Sequence, residues 1–242
     1  MNAVKSALEV GYTHFDTAQI YSNEAFLGRA LQEAGADRSK LFITTKIWND
    51  NQFWDDIGPS FEQSLHNLQT DYVDLLLLHF PVTETRRPAW RKLEQIVAGG
   101  RVKAIGVSNY TITHLEELLR EGSVKPVVNQ VELHVFLQQP ELVQFCQDND
   151  ILVEAYSPLA HGNGLDNPVL AGLAQKHGKT PSQVMIRWCI ERGTVPLPKS
   201  VYADRINENF NVFDFSLDEA DMKLLAGLNT GYRTCWDPTH IA

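Results

Sequence analysis

The stretch YVDLLLLHFP, residues 72–81, decides how this chain is read. Val73 to Leu78 is an almost unbroken apolar run. Such a run reads as a strand buried on both faces, the pattern of a parallel sheet covered by helices. Pro81 prevents the strand from continuing, because proline cannot donate to a ladder. His79 stands at the strand's exit. A buried strand that delivers a histidine at its end directs attention to the ends of the other strands.

Working outward, short apolar runs alternate with helical patterns. Strands are expected at Tyr12–Asp16, Phe42–Lys46, Val73–His79, Ala104–Ser108, Val127–Gln130, Leu152–Tyr156 and Thr194–Leu197. Helices are expected at Asn2–Val10, Glu24–Glu33, Pro59–Leu68, Pro88–Ala98, Ile112–Glu121, Pro140–Asn149 and Pro181–Glu191. Pro59 and Pro140 read as first-turn prolines, and Thr180 as the cap before Pro181. Alternation at this spacing implies right-handed βαβ units and a parallel sheet, as in an α/β barrel. Seven strands are counted and the chain opens on a helix. An eight-stranded (β/α)8 TIM barrel would need one more strand upstream of Met1. The expectation is a single barrel domain over 1–242 with its first strand absent; an irregular barrel or an unrecognised strand is the alternative.

Composition bounds the partners. The 242 residues are 43% hydrophobic and 21% charged, with a net charge of −9. That length and apolar content suit one large core. An acidic chain argues against nucleic acid or an anionic membrane as partner, since both need a basic face. Cys146, Cys189 and Cys235 are widely spaced with no CxxC, which fits a reducing compartment rather than a disulfide framework. The first residues lack the long apolar run of a signal peptide, and no stretch has the length of a membrane span. A cytoplasmic protein is expected.

Catalytic groups of a parallel barrel collect where strands end. Those positions hold Asp16, Lys46, His79, Ser108 with Asn109, Gln130, Tyr156 with Ser157, and Lys199 with Ser200. Each has a plainer reading: Asp16 as a loop cap, Lys46 as a solvated strand end, His79 as a core histidine. A metal held by Asp16, His79 and His14 is open, though no HxH or HExxH motif supports it. A polar residue at all seven exits, with an Asp, a Lys and a His among them, points to a site.

Three longer stretches match a known family. GYTHFDTAQIYSNEAFLGRAL (11–31), LHNLQTDYVDLLLLHFP (65–81) and LPKSVYADRINENF (197–210) closely resemble the signature segments of the aldo-keto reductases, nearest to bacterial 2,5-diketo-D-gluconate reductases. TTKIW, GVSNY, NQVELH and AYSPL fall between them in the family's order. The resemblance runs from the first residues to near Trp236. It implies a (β/α)8 barrel that reduces small or sugar-like carbonyls with NADPH, without metal. The catalytic residues would be Asp16, Tyr21, Lys46 and His79, with Tyr21 as general acid. Ser108, Asn109 and Gln130 would hold the nicotinamide amide and Tyr156 would stack under its ring. Ser157 and Leu159 would line the pyrophosphate path. Lys199, Ser200 and Arg205 would hold the 2′-phosphate, with Glu208 and Asn209 at the adenine. Trp48, Phe80 and Trp236 would shape the substrate pocket.

The resemblance also implies a capping hairpin and first strand before Met1. Without them a fragile or self-associating chain is expected, where the intact fold would be a monomer. A non-catalytic NADPH-binding module is the alternative function, as is an inactive truncated form. A hydrolase would require a metal or paired carboxylates that the sequence does not show.

Overall fold

The computed structural model describes residues 2–241. It is an α/β structure whose strands run in sequence order. The chain divides into two compact units, one built on residues up to Asn129 with the stretch from Pro238, the other on Gln130–Asp237.

In the first unit, α1 (Asn2–Val10) leads to β1 (His14–Asp16), α2 (Glu24–Glu33), β2 (Phe42–Ile47), α3 (Trp54–Leu68), β3 (Val73–Leu78), α4 (Arg86–Ala98), β4 (Val102–Ser108) and α5 (Ile112–Glu121). The strands pair in parallel: β1 with β2 (Asp16 opposite Thr44), β2 with β3 (Lys46 opposite Leu77) and β3 with β4 (Leu77 opposite Gly106). All six residues of β3 are buried, as its composition demands. Asp74, the one polar residue in that run, accepts hydrogen bonds from the Ile43 amide, Arg38 and Lys103 at 2.9, 2.8 and 2.7 Å. Burial acts to raise its pKa, but these three donors bring it below the usual carboxylate range.

Two glycines mark close approaches. A Cβ on Gly106 would come within 2.7 Å of the Val128 carbonyl oxygen and 2.8 Å of Leu77, beside the buried cluster of Leu75, Leu77 and Val128. A Cβ on Gly28 would sit 2.5 Å from the Leu68 carbonyl group, where α2 meets the end of α3.

β5 (Val128–Glu132) crosses the division between the units. The second unit continues with α6 (Pro140–Asp148), β6 (Leu152–Tyr156), α7 (Pro168–His177), α8 (Pro181–Glu191), β7 (Val195–Leu197), α9 (Ala203–Phe210) and α10 (Glu219–Ala226). Within it β6 pairs in parallel with β7. The Thr180 hydroxyl caps α8 by accepting from the Gln183 amide, as the sequence indicates.

The seven expected strands are present with ends shifted by up to two residues. Pro59 is a correction: α3 begins at Trp54, so the proline lies inside the helix rather than in its first turn. Helices α7, α9 and α10 escaped the sequence reading. The apolar periodicity of α7 and α10 is weak, whereas α9 is strongly amphipathic and lies inside the stretch 197–210, which was matched as a motif rather than read as a helix. Among the described residues no helix is long and apolar enough to cross a membrane.

Candidate active site

Four of the residues singled out in the sequence meet in the first unit. Asp16 closes β1, and the Thr17 amide extends the pairing by bonding the Thr44 carbonyl at 2.9 Å. The chain then turns through a short 3-10 helix, Gln19–Tyr21, before α2. The Thr17 hydroxyl closes this loop by donating to Asn23 Oδ1 at 2.6 Å. Lys46 is contributed by β2 and has no exposed surface. Its Nζ donates to Asp16 Oδ1 at 2.5 Å and to the Thr17 carbonyl at 3.0 Å. A buried ammonium requires such partners.

Tyr21 is 48% exposed, and Lys46 Nζ stands 5.1 Å from its ring centre. The edge of the same ring meets His79 at 5.7 Å between centroids. His79 follows β3 and is nearly buried, and its amide bonds the Ile47 carbonyl at 3.1 Å. Its Nδ1 has no hydrogen-bond partner among the described residues. Burial, reinforced by the Lys46 charge, brings the imidazole down to about 3, so it is neutral at ordinary pH. Trp48 packs edge-on against His79 at 5.2 Å. Phe80 is buried, and its carbonyl accepts from Gln52 at 3.0 Å.

Ser108 and Asn109 are buried at the end of β4. Asn109 takes a left-handed conformation (φ 64°), which asparagine tolerates. Its Nδ2 donates to the His79 carbonyl at 3.0 Å and to Ser108 Oγ at 3.2 Å. His14, considered above as a metal ligand, bonds Thr44 Oγ1 at 3.0 Å. Among the described residues no cluster of three His, Cys, Asp or Glu side chains is arranged to hold a metal ion.

In the second unit, buried Gln130 donates to Glu154 at 2.8 Å, and Tyr156 ends β6 half-buried. Ser157 begins a strained stretch: it, Ala160 and His161 all have φ near +50° (49°, 47° and 55°). Its Oγ meets His161 Nε2 at 3.1 Å and Cys235 Sγ at 3.7 Å, while Leu159 is half-buried beside it. Lys199 and Arg205 are exposed around the start of α9, and neither forms an ion pair among the described residues. Ser200 Oγ accepts from the Tyr202 amide at 3.1 Å, and Arg205 lies 5.1 Å from the Tyr202 ring centre. Glu208 accepts from Thr180 Oγ1 at 2.8 Å, and Asn209 is buried on α9. Trp236 is 59% exposed.

Two residues went unrecognised in the sequence. Gln19 lies in the loop between Asp16 and Tyr21, and nothing in the sequence distinguishes it from a solvated glutamine. Glu132 ends β5 fully buried and accepts from the Thr234 amide and hydroxyl and the Cys235 amide at 2.7, 2.5 and 3.1 Å. His134 adds a fourth contact at 3.1 Å. In the sequence it is one of three polar residues in VNQVE, so no local pattern sets it apart.

Comparison with known proteins identifies the family. The model of the Aldo/keto reductase family matches residues 1–230. Glyoxal reductase of Bacillus subtilis (strain 168) is 44% identical over 239 residues, 99% of this chain and 87% of its own. The crystal structure of MGS-M4, an aldo-keto reductase from a Medee basin deep-sea metagenome library, superposes with a TM-score of 0.96 at 44% identity, covering 100% of this chain and 90% of that one. A silkworm aldo-keto reductase complexed with NADPH gives 0.92 at 38% identity, over 97% of this chain and 79% of its own. The likeness to MGS-M4 extends over the whole chain and gives the fold class, an α/β structure of the (β/α)8-barrel type. With the family match spanning nearly its full length, the chain belongs to the aldo/keto reductase family.

Proposed function

We propose that this chain reduces small carbonyl compounds to alcohols with Tyr21 as the proton donor. Membership of the family makes it an NADPH-dependent oxidoreductase acting on carbonyls. Glyoxal as the substrate of one relative supports a small, polar carbonyl here. The family match spans both units, which supports treating the chain as one reductase domain.

The observation that carries the reading is Lys46, fully buried, with its ammonium on Asp16 and beside the Tyr21 ring. NADPH, when bound, supplies the hydride. As negative charge develops on the carbonyl oxygen, the Tyr21 hydroxyl gives up its proton. The Lys46 ammonium stabilises the phenolate left behind, and Asp16 keeps that ammonium charged and oriented. His79 remains neutral. With Nδ1 unpartnered, Nε2 is the nitrogen assigned the proton, and it donates a hydrogen bond to the carbonyl oxygen.

Lys199 and Arg205, without an ion pair among the described residues, suit a 2′-phosphate, which would otherwise lack countercharge. Ser200 would join them, with Glu208 and Asn209 at the adenine. Ser108, Asn109 and Gln130 would bind the carboxamide, Tyr156 would face the nicotinamide, and Ser157 and Leu159 would flank the pyrophosphate. Trp48, Phe80 and Trp236 would border the substrate.

The test is NADPH oxidation with glyoxal or methylglyoxal by the purified chain and by Tyr21→Phe. Loss of general acid catalysis should lower turnover by about 10²–10⁴-fold while NADPH affinity stays within a few-fold. Turnover retained in Tyr21→Phe would remove Tyr21 as the acid. Binding without turnover in the unmodified chain would make it a binding module.

A further inference from the structure

We propose that Gln19 is a positioning residue that sets the carbonyl selectivity of this site by fixing the Trp48 wall relative to Tyr21; this rests on the reading of Tyr21 and His79 above. Gln19 opens the 3-10 turn that ends at Tyr21. Its side-chain oxygen accepts from the Trp48 amide at 2.8 Å and from Asn51 Nδ2 at 2.9 Å. Its side-chain nitrogen donates to the Ser60 carbonyl and to Ser64 Oγ, both at 3.2 Å. A glutamine amide offers two donors and two acceptor sites, and here all four are used.

Those bonds join three segments, the first lying 29 or more positions from the contacts it makes in the other two. One is the turn bearing Tyr21, the second is the loop after β2 bearing Trp48, and the third is α3. Trp48 in turn packs against His79 at 5.2 Å, and His79 against Tyr21 at 5.7 Å. The Trp48 backbone is thereby tied to the turn of Tyr21 by the half-buried Gln19 side chain. Gln19 touches none of the reacting groups. Its effect reaches the substrate through the placement of the Trp48 ring.

The experiment compares kcat/KM for methylglyoxal and for a bulky aromatic aldehyde in the unmodified chain, Gln19→Met and Gln19→Glu. A ratio of specificity constants is independent of the fraction of active protein, so partial misfolding does not obscure it. Met fills the same length without polar atoms, whereas Glu keeps the two acceptors for Trp48 and Asn51. Losing hydrogen bonds of ordinary strength predicts that Gln19→Met changes the ratio by about fivefold or more, through KM rather than kcat. Gln19→Glu keeps the acceptors for Trp48 and Asn51 but sets an oxygen against the Ser60 carbonyl, so it should recover part of the change. The emission of Trp48, isolated by difference against Trp48→Phe, should shift in Gln19→Met alone.

An unchanged ratio in Gln19→Met would overturn the proposal. So would an equal fall in kcat for both substrates, or a ratio in Gln19→Glu no nearer that of the unmodified chain than in Gln19→Met. The Tyr21 reading fails by a different result, turnover persisting in Tyr21→Phe, so the two failures are distinguishable.

Discussion

Lys46 has no exposed side-chain surface, and its ammonium nitrogen lies 2.5 Å from Asp16 Oδ1, a carboxylate with 15% of its side chain exposed. Removing one partner leaves a charge in a site of low polarity. Asp16→Asn is therefore expected to destabilise the chain by about 3–5 kcal/mol, the usual cost of breaking a buried pair. Lys46→Met with Asp16→Asn should be less damaging than Asp16→Asn alone, because no buried charge then remains. Urea unfolding midpoints of the three proteins check this order. A double variant less stable than Asp16→Asn would contradict it.

His79 gives a distinct pH dependence. Its pKa in the folded chain is lowered to about 3 from 6.5, so the unfolded chain takes up the proton first as pH falls. The stability it contributes is present in full above pH 6.5 and drains away between there and about 3. Between pH 6 and 4.5 the chain should lose about 2 kcal/mol more than His79→Gln, which has no proton to bind. Parallel denaturant titrations at those two pH values measure the difference. Over the same range the pH profile of kcat should show no step from imidazole protonation.

Glu132 is the other titratable group with a large structural consequence. Burial acts to raise its pKa, yet hydrogen bonds from His134, Thr234 and the Cys235 amide bring it to about 2. Its contribution is full above the ordinary carboxylate value of 4.5 and disappears only as pH falls through about 2. Replacing the carboxylate by an amide in Glu132→Gln sets an NH2 group among donors. The expected cost is about 2–4 kcal/mol at neutral pH, from weakened hydrogen bonds and an unsatisfied donor. Faster amide exchange at Thr234 and Cys235, with unchanged exchange in β3, would locate the loss in the 233–235 segment.

Much of the layout could be read without coordinates because apolar runs and their periods report burial directly. The run 73–78 became a strand buried along its entire length, and the residues at the strand ends fell where the alternation indicated. Asp74 interrupts the run, and sequence alone gives no reason for it. Arg38, Lys103 and the Ile43 amide, distant in the chain, are the reason. Tyr21 was recognised only through resemblance to a family, since it lies in a loop that carries no periodic signal. Helices α7 and α10 were missed for a related cause, since their weak amphipathicity leaves little pattern to read.

Fold class, family and the residue types available for the chemistry were legible in the primary structure. Those follow from local hydrophobic pattern and from motifs that are contiguous along the chain. Packing in three dimensions joins Asp16 to Lys46, holds His79 neutral and links Trp48 through Gln19 to the turn of Tyr21. Each of these is a contact between residues about 30 or more positions apart, or the field and burial that such contacts create. The separation along the chain hides them from any local pattern, and only the packing of β1, β2 and β3 side by side brings them together.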